Sequence, residues 1–313
     1  MKFYVGVTDN DWFAFLTDRK VDEVNFWRPG GGHPFGVIQP GAPFLFKLHS
    51  PLNYIVGGGF FVKYTRLPLS MAWKIFGEKN GAGSFSAFSS QILQYRNDKS
   101  NVVHDPEIGC IILASTFFFD KADWIEPPSD WSRHIVQGKS YDTGDPVGKS
   151  VWDRVQEKLL KYISVEPAGT ESGNVAEPTP LYGAEYLTRG RLGQSAFKAL
   201  VLDAYGRRCA MTGERTMPVL EAAHIKPFAE SGPNTPQNGL LLRADLHILF
   251  DRGYITVTHQ LNVDVSKRIK EEFENGRDYY ALHGTPLKVI PHDGYEKPSK
   301  VFLDWHNQNV YRA

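Results

Sequence analysis

Apolar and polar positions alternate in short runs along the first part of the chain. Phe3-Tyr4-Val5-Gly6-Val7 predicts a first strand. Asp9 or Asn10 then caps a helix carrying Trp12, Phe13, Phe15 and Leu16. Val24–Trp27, Phe44–Leu48 and Tyr54–Val62 read as further strands, and Pro68–Phe76 and Ser84–Tyr95 as helices. The apolar run Ile108–Phe119 predicts a strand inside a sheet. Trp152, Val155, Leu159 and Tyr162 recur at helical spacing over residues 151–163.

The pattern then stops. Residues 166–180 hold Pro, Gly, Glu and Thr and almost no large apolar side chain, the composition of a linker. It resumes at Gly193–Tyr205, a helix with Phe197, Leu200, Val201 and Ala204 on one face. Val219–Ala223 and Leu240–Leu242 predict two strands separated by a Pro- and Gly-bearing loop, and Asp245–Asp251 opens a helix. A hairpin (253–263), a helix (269–273) and a C-terminal helix (301–311) follow. The expected fold class is α+β: a mixed, barrel-like sheet domain over residues 1–150, a helix and linker over 151–181, and a strand–loop–strand–helix domain over 182–313.

Charge adds little, because Lys and Arg balance Asp and Glu and the formal net charge is +0. Any nucleic-acid or membrane-binding surface must therefore be local. Cys110 and Cys209 are the only cysteines, so a disulfide framework or a cysteine-rich zinc site is excluded. With no long apolar stretch and no leader-like N-terminus, the expectation is a soluble cytoplasmic protein without a membrane partner.

The chemistry concentrates between residues 220 and 251. His224 ends the first predicted strand, Asn238 follows the loop, and His247 lies at the start of the helix. If the two strands form a ribbon, these three residues face one notch, and Asp251 shares a helix face with His247 at i, i+4. Such a set can bind one divalent metal and deprotonate one water, the minimal equipment for phosphodiester hydrolysis. On this reading His224 is the general base, and His247 with Asp251 holds the metal. Asn238 supports either the His224 ring or the loop that carries it. Arg207, Arg208, Arg191 and Lys226 are candidate phosphate contacts, Lys226 foremost because it lies beside the base.

The residues Gly193–Phe197, Tyr205–Gly213, Glu221–Ile225, Asn238–Leu240 and Leu246–Asp251, with Trp305-His306, resemble the HNH endonucleases of the ββα-metal superfamily. The form found in modification-dependent (type IV) restriction enzymes is the most similar. The resemblance implies one Mg²⁺ or Mn²⁺ per active site and double-stranded DNA as substrate. It departs from many relatives at two places. Ala223 stands where they carry an additional metal ligand, which leaves Asp251 and then Glu221 as candidates. Cys209 alone remains of their paired cysteines, so no structural zinc is expected.

In the first half, Pro40-Gly41 before a strand and Ile55-Val56-Gly57 in the next resemble the PUA-like superfamily of EVE, ASCH and SRA-type domains. That resemblance implies an aromatic pocket for a flipped, modified base. Trp27, Phe26 and Trp73 are the candidate aromatic walls, with Asn25, Arg28 and His33 as polar partners. The whole then reads as a modification-dependent DNA endonuclease of phage defence. It would act as a homodimer where both strands are cut, since one site cuts one strand. The competing readings are a modified-nucleic-acid-binding protein with a weakened nuclease, and a nonspecific DNA or RNA nuclease.

Overall fold

In the computed structural model the described residues are 1–30, 34–96, 105–163 and 192–313. The predicted linker, with Arg191, lies outside them, as does His33. The chain forms two units, residues 1–191 and 192–313.

The first unit is built on a mixed six-stranded sheet in the order β2-β5-β4-β3-β1-β6. Its strands are β1 (Lys2–Thr8), β2 (Glu23–Arg28), β3 (Pro43–Leu48), β4 (Ile55–Pro68), β5 (Glu107–Phe118) and β6 (Gly138–Asp142). Only β1 and β3 pair in parallel; the other neighbours are antiparallel. Strand β3 is buried along its whole length, because both faces of the sheet are covered. Phe44, Phe46 and Leu48 point to one side, where helix α1 (Asn10–Arg19) contributes Trp12, Phe13 and Leu16. Leu45 points to the other, with Phe3 and Val5 against Val151, Trp152, Val155 and Leu159. Those four residues belong to the predicted 151–163 helix. It starts earlier, as α4 (Pro146–Ile163), and forms part of this core instead of leading away from it.

Asp9 is the cap of α1: its Oδ1 accepts from the amides of Asp11 and Trp12 at 2.9 and 3.1 Å. Helices α2 (Leu69–Phe76) and α3 (Phe85–Tyr95) complete this unit, with Ser84 capping α3. The glycine run in β4 serves the sheet itself. A Cβ at Gly57 would stand 2.3 Å from the Phe117 carbonyl oxygen, so only glycine allows β5 this close.

The second unit begins with α5 (Gln194–Ala204), which lies against an antiparallel ribbon of β7 (Leu220–His224) and β8 (Gly239–Arg243). Helix α6 (Ala244–Asp251) follows β8 directly, which completes a ββα unit. The small sheet of β9 (Ile255–Val257) and β10 (Val263–Val265) comes next, then α7 (Arg268–Phe273), α8 (Arg277–Tyr280) and α9 (Lys300–Asn309). Phe197, Tyr205, Leu246 and Phe250 are almost fully buried and form the unit's core. Each such side chain contributes roughly 1.5–3 kcal/mol by leaving water. No helix among the described residues is long and apolar enough to cross a membrane.

Candidate active site and base pocket

Strands β7 and β8 pair in the register His224↔Gly239 and Leu220↔Arg243, so His224 stands where the ribbon opens into the 225–238 loop. Helix α5 packs so closely there that a Cβ on Gly239 would meet Val201 Cγ2 at 2.4 Å. The same approach brings the Phe197 ring flat against His224, with centroids 3.8 Å apart and planes 13° from parallel. His224 is thus half-buried on a rigid platform. Burial pushes its pKa below the ordinary imidazole value. The Asn234 hydrogen bond and the Asp251 charge work in the opposite direction, and His247 and Lys198 add to the lowering.

Asn238 is fully buried, and its hydrogen bonds run to the loop backbone and not to the His224 ring. Its Oδ1 accepts from the Lys226 amide at 2.8 Å, and its Nδ2 donates to the carbonyls of Lys226 and Pro233 at 2.9 and 3.0 Å. Of its two expected roles, the geometry selects support of the loop. The ring's partner is Asn234, whose Oδ1 lies 2.8 Å from His224 Nε2. Sequence reasoning missed Asn234, because a second Asn in a Pro- and Gly-bearing loop looks like turn chemistry.

His247 lies in the first turn of α6, between two carboxylates. Its Nδ1 is 2.9 Å from Glu221 Oε2 on β7, and its Nε2 is 3.3 Å from Asp251 Oδ2 one turn along. Partial desolvation, more than any other influence, raises the Asp251 carboxyl above its usual range. The imidazoles of His247 and His224 oppose that rise. Asp251 therefore feels the charges of His224, His247 and Glu221, and His224 those of Asp251 and His247. Ala223 is fully buried, so its position serves the core.

The donor set fits a divalent cation. Two ligands bound side by side at about 2.1 Å from one ion stand about 3.0–3.4 Å apart, and His247 Nε2 and Asp251 Oδ2 are 3.3 Å apart. Glu221 then accepts from Nδ1–H, the outer hydrogen bond that orients metal-binding imidazoles. Among the described residues no cluster of three or more His, Cys, Asp or Glu side chains could hold an ion alone. Two protein ligands with water and phosphate oxygens would suit a hard cation.

The candidate phosphate contacts lie on different segments of the chain. Lys226 Nζ lies 5.5 Å from the centre of the Trp305 ring. Arg207 and Arg208 are half-buried in the turn after α5, Arg207 with φ 58°. Nε of Arg208 is buried without a hydrogen-bond partner. His306, beside Trp305, is structural: its ring stacks on Phe250 at 3.8 Å and bonds Thr256 Oγ1 and the Phe250 carbonyl at 2.8 and 3.1 Å.

The first unit holds a cavity of about 430 Å³, lined by Phe26 and Trp27 together with Tyr4, Trp12, Arg28 and Tyr95. Trp27 is fixed by its Nε1–H donating to the Asn80 carbonyl at 2.9 Å. Asp9 is also in the lining, and its Oδ2 accepts from Tyr95 at 2.8 Å. That hydrogen bond is the main reason the phenol is pushed up to about 12. Arg28 Nη2 donates to Gln137 Oε1 at 2.9 Å across the same lining.

Asn25 and Trp73 do not line it. Asn25 is fully buried, with Nδ2 donating to Asn80 Oδ1 at 2.9 Å. Trp73 packs against Phe85 and Phe88 between α2 and α3. Both are structural residues. Asp9, Tyr95 and Gln137 went unseen because the wall is assembled from a cap, a helix end and a loop distant in sequence.

Residues 209–258 match a family model described as HNH endonuclease. Among solved structures, an ASCH protein from Zymomonas mobilis aligns with 52% of this chain and 94% of its own, at 9% identity and a TM-score of 0.32. A modification-dependent TagI restriction endonuclease aligns with 93% of this chain and 76% of its own, at 14% identity and a TM-score of 0.29. No curated protein matches the chain. The ribbon, the loop and helix α6 all lie within the matched stretch, and the C-terminal unit carries an HNH endonuclease domain.

Proposed function

We propose that this protein is a divalent-metal-dependent endonuclease that cuts double-stranded DNA carrying a modified base. The observation that carries the proposal is the set of distances around His247: two cation ligands 3.3 Å apart, with a base histidine within electrostatic range of both. His224 takes the proton of a water. Its lowered pKa keeps it unprotonated and able to do so at neutral pH. His247 and Asp251 would hold Mg²⁺ or Mn²⁺, which supplies charge neutralisation at the scissile phosphate and leaving oxygen. Glu221 orients His247, and Asn238 keeps the loop in shape. Lys226, Arg207 and Arg208 track the phosphates.

The first unit selects the target. A cavity of about 430 Å³ with aromatic walls and the polar groups of Asp9, Arg28 and Gln137 suits a base turned out of the helix. Phe26 and Trp27 offer the stacking faces, and the polar groups read the edge. One active site cuts one strand at a time, so a homodimer on DNA is the proposed form for cutting both strands together. The test is cleavage of plain, 5-methylcytosine, hydroxymethylcytosine and glucosylated DNA with Mg²⁺ or Mn²⁺. Cutting of one modified DNA that His224→Ala abolishes is the expected result. Binding without cutting, unchanged in that variant, would make the protein a reader only.

A further inference from the structure

Asn234 lies in the loop between β7 and β8 and is 2% exposed. Its amide has a defined sense. Nδ2 donates to the Leu192 carbonyl at 2.6 Å, and a carbonyl only accepts, so the NH₂ group faces Leu192. Oδ1 is thereby turned to the His224 ring, 2.8 Å from Nε2. An amide oxygen cannot donate, so Nε2 carries the proton. In the neutral ring the lone pair then belongs to Nδ1. The parallel Phe197 ring, 3.8 Å away, limits tilting of the imidazole.

We infer that Asn234 is the positioning residue of the base: it holds His224 as the Nε2–H tautomer and makes Nδ1 the nitrogen that accepts the proton of water. The inference rests on the nuclease reading above. It also divides the work of the two loop asparagines. Asn238 bonds backbone groups of Lys226 and Pro233, whereas Asn234 bonds the ring. When Nδ1 takes the proton, the water becomes hydroxide and the ring an imidazolium. The Nε2–H···Oδ1 bond is retained and strengthened in that charged form.

The test is long-range ¹H–¹⁵N NMR of the full chain with labelled histidine, His224 being assigned by its loss in His224→Gln. At a pH where the ring is neutral, the wild type should show a protonated Nε2 and an unprotonated Nδ1. Asn234→Ala should give averaged shifts of mixed tautomers. Its kcat for DNA cleavage should fall about 10- to 100-fold, the range for outer partners of functional imidazoles, with KM unchanged. Asn234→Asp keeps an acceptor at Nε2 and should keep the wild-type tautomer. A wild-type ring protonated at Nδ1 overturns the inference, whether or not the alanine variant folds. So does an alanine variant with wild-type shifts and wild-type kcat. Wild-type protein that cuts no DNA overturns the nuclease reading instead, since the tautomer is read without DNA.

Discussion

The His224 ring, stacked on Phe197 and held out of water, is harder to protonate than a free imidazole. A base with a lowered pKa loses its lone pair only when the pH falls below the ordinary value of 6.5. Cleavage should therefore be flat through neutral pH and decline on the acid side of that value, as followed by kcat/KM against pH. A decline beginning above pH 7 would contradict a neutral buried base. His224→Ala should lower kcat by about 10²–10⁴-fold, the usual contribution of a general base. DNA binding, measured by fluorescence anisotropy, should not change. At Glu221 the expected effect differs in kind. Glu221→Gln keeps the size but weakens the bond to His247, and should raise the metal concentration for half-maximal cleavage about 10- to 100-fold. Metal titration of the rate measures this, and an unchanged midpoint would remove Glu221 from the site.

At the scale of elements, the C-terminal helix α9 is tied to the ββα unit by His306, whose burial pushes its pKa down to about 4. The folded state keeps this ring neutral, whereas the unfolded chain protonates it near 6.5. The group's contribution is present above 6.5 and is lost as the pH falls from 6.5 toward 4. The full loss is about 3 kcal/mol. Urea unfolding of this unit at several pH values, followed by Trp fluorescence, should show it. His306→Leu should flatten the dependence.

Most strands and helices were legible because apolar period and caps are local properties; β6, Gly-Lys-Ser-Tyr-Asp, has no apolar run and went unseen. Asp9 as a cap and the β7–loop–β8–α6 order came from residues adjacent in the chain. So did the pairing of His247 with Asp251 at one helical turn. What the pattern missed depends on long-range packing. Asn234 matters because Leu192 orients it, and Tyr95 meets Asp9 only after α1 and α3 converge. Asn25 looked like a pocket group, yet it lies on a strand packed against Asn80 and Cys110. A polar residue on a strand does not reveal which of two buried faces it points to.

On the scale of the whole molecule, the proposed function gives the two units separate tasks. Under the proposed function the HNH domain would bring a water, a base and a cation to a phosphate, chemistry that every DNA shares. Selection, proposed for the cavity of the first unit, should be separable from cutting. Trp27→Ala removes a stacking wall and the Nε1–H bond to Asn80. It should cost about 1–3 kcal/mol of binding to the modified DNA and abolish discrimination. The His224 and His247 environments should be undisturbed, as their NMR signals would show. Equal preference in this variant and the wild type would place selection elsewhere.

The most direct measurement is a side-by-side cleavage assay of one duplex sequence, plain and in each modified form, with Mg²⁺, with Mn²⁺ and with chelator. The expected result is cutting with metal only, of one modified duplex and not of the plain one, and none by His224→Ala. Equal cutting of plain and modified DNA, cutting of RNA alone, or cutting that survives chelator or the loss of His224 would contradict it.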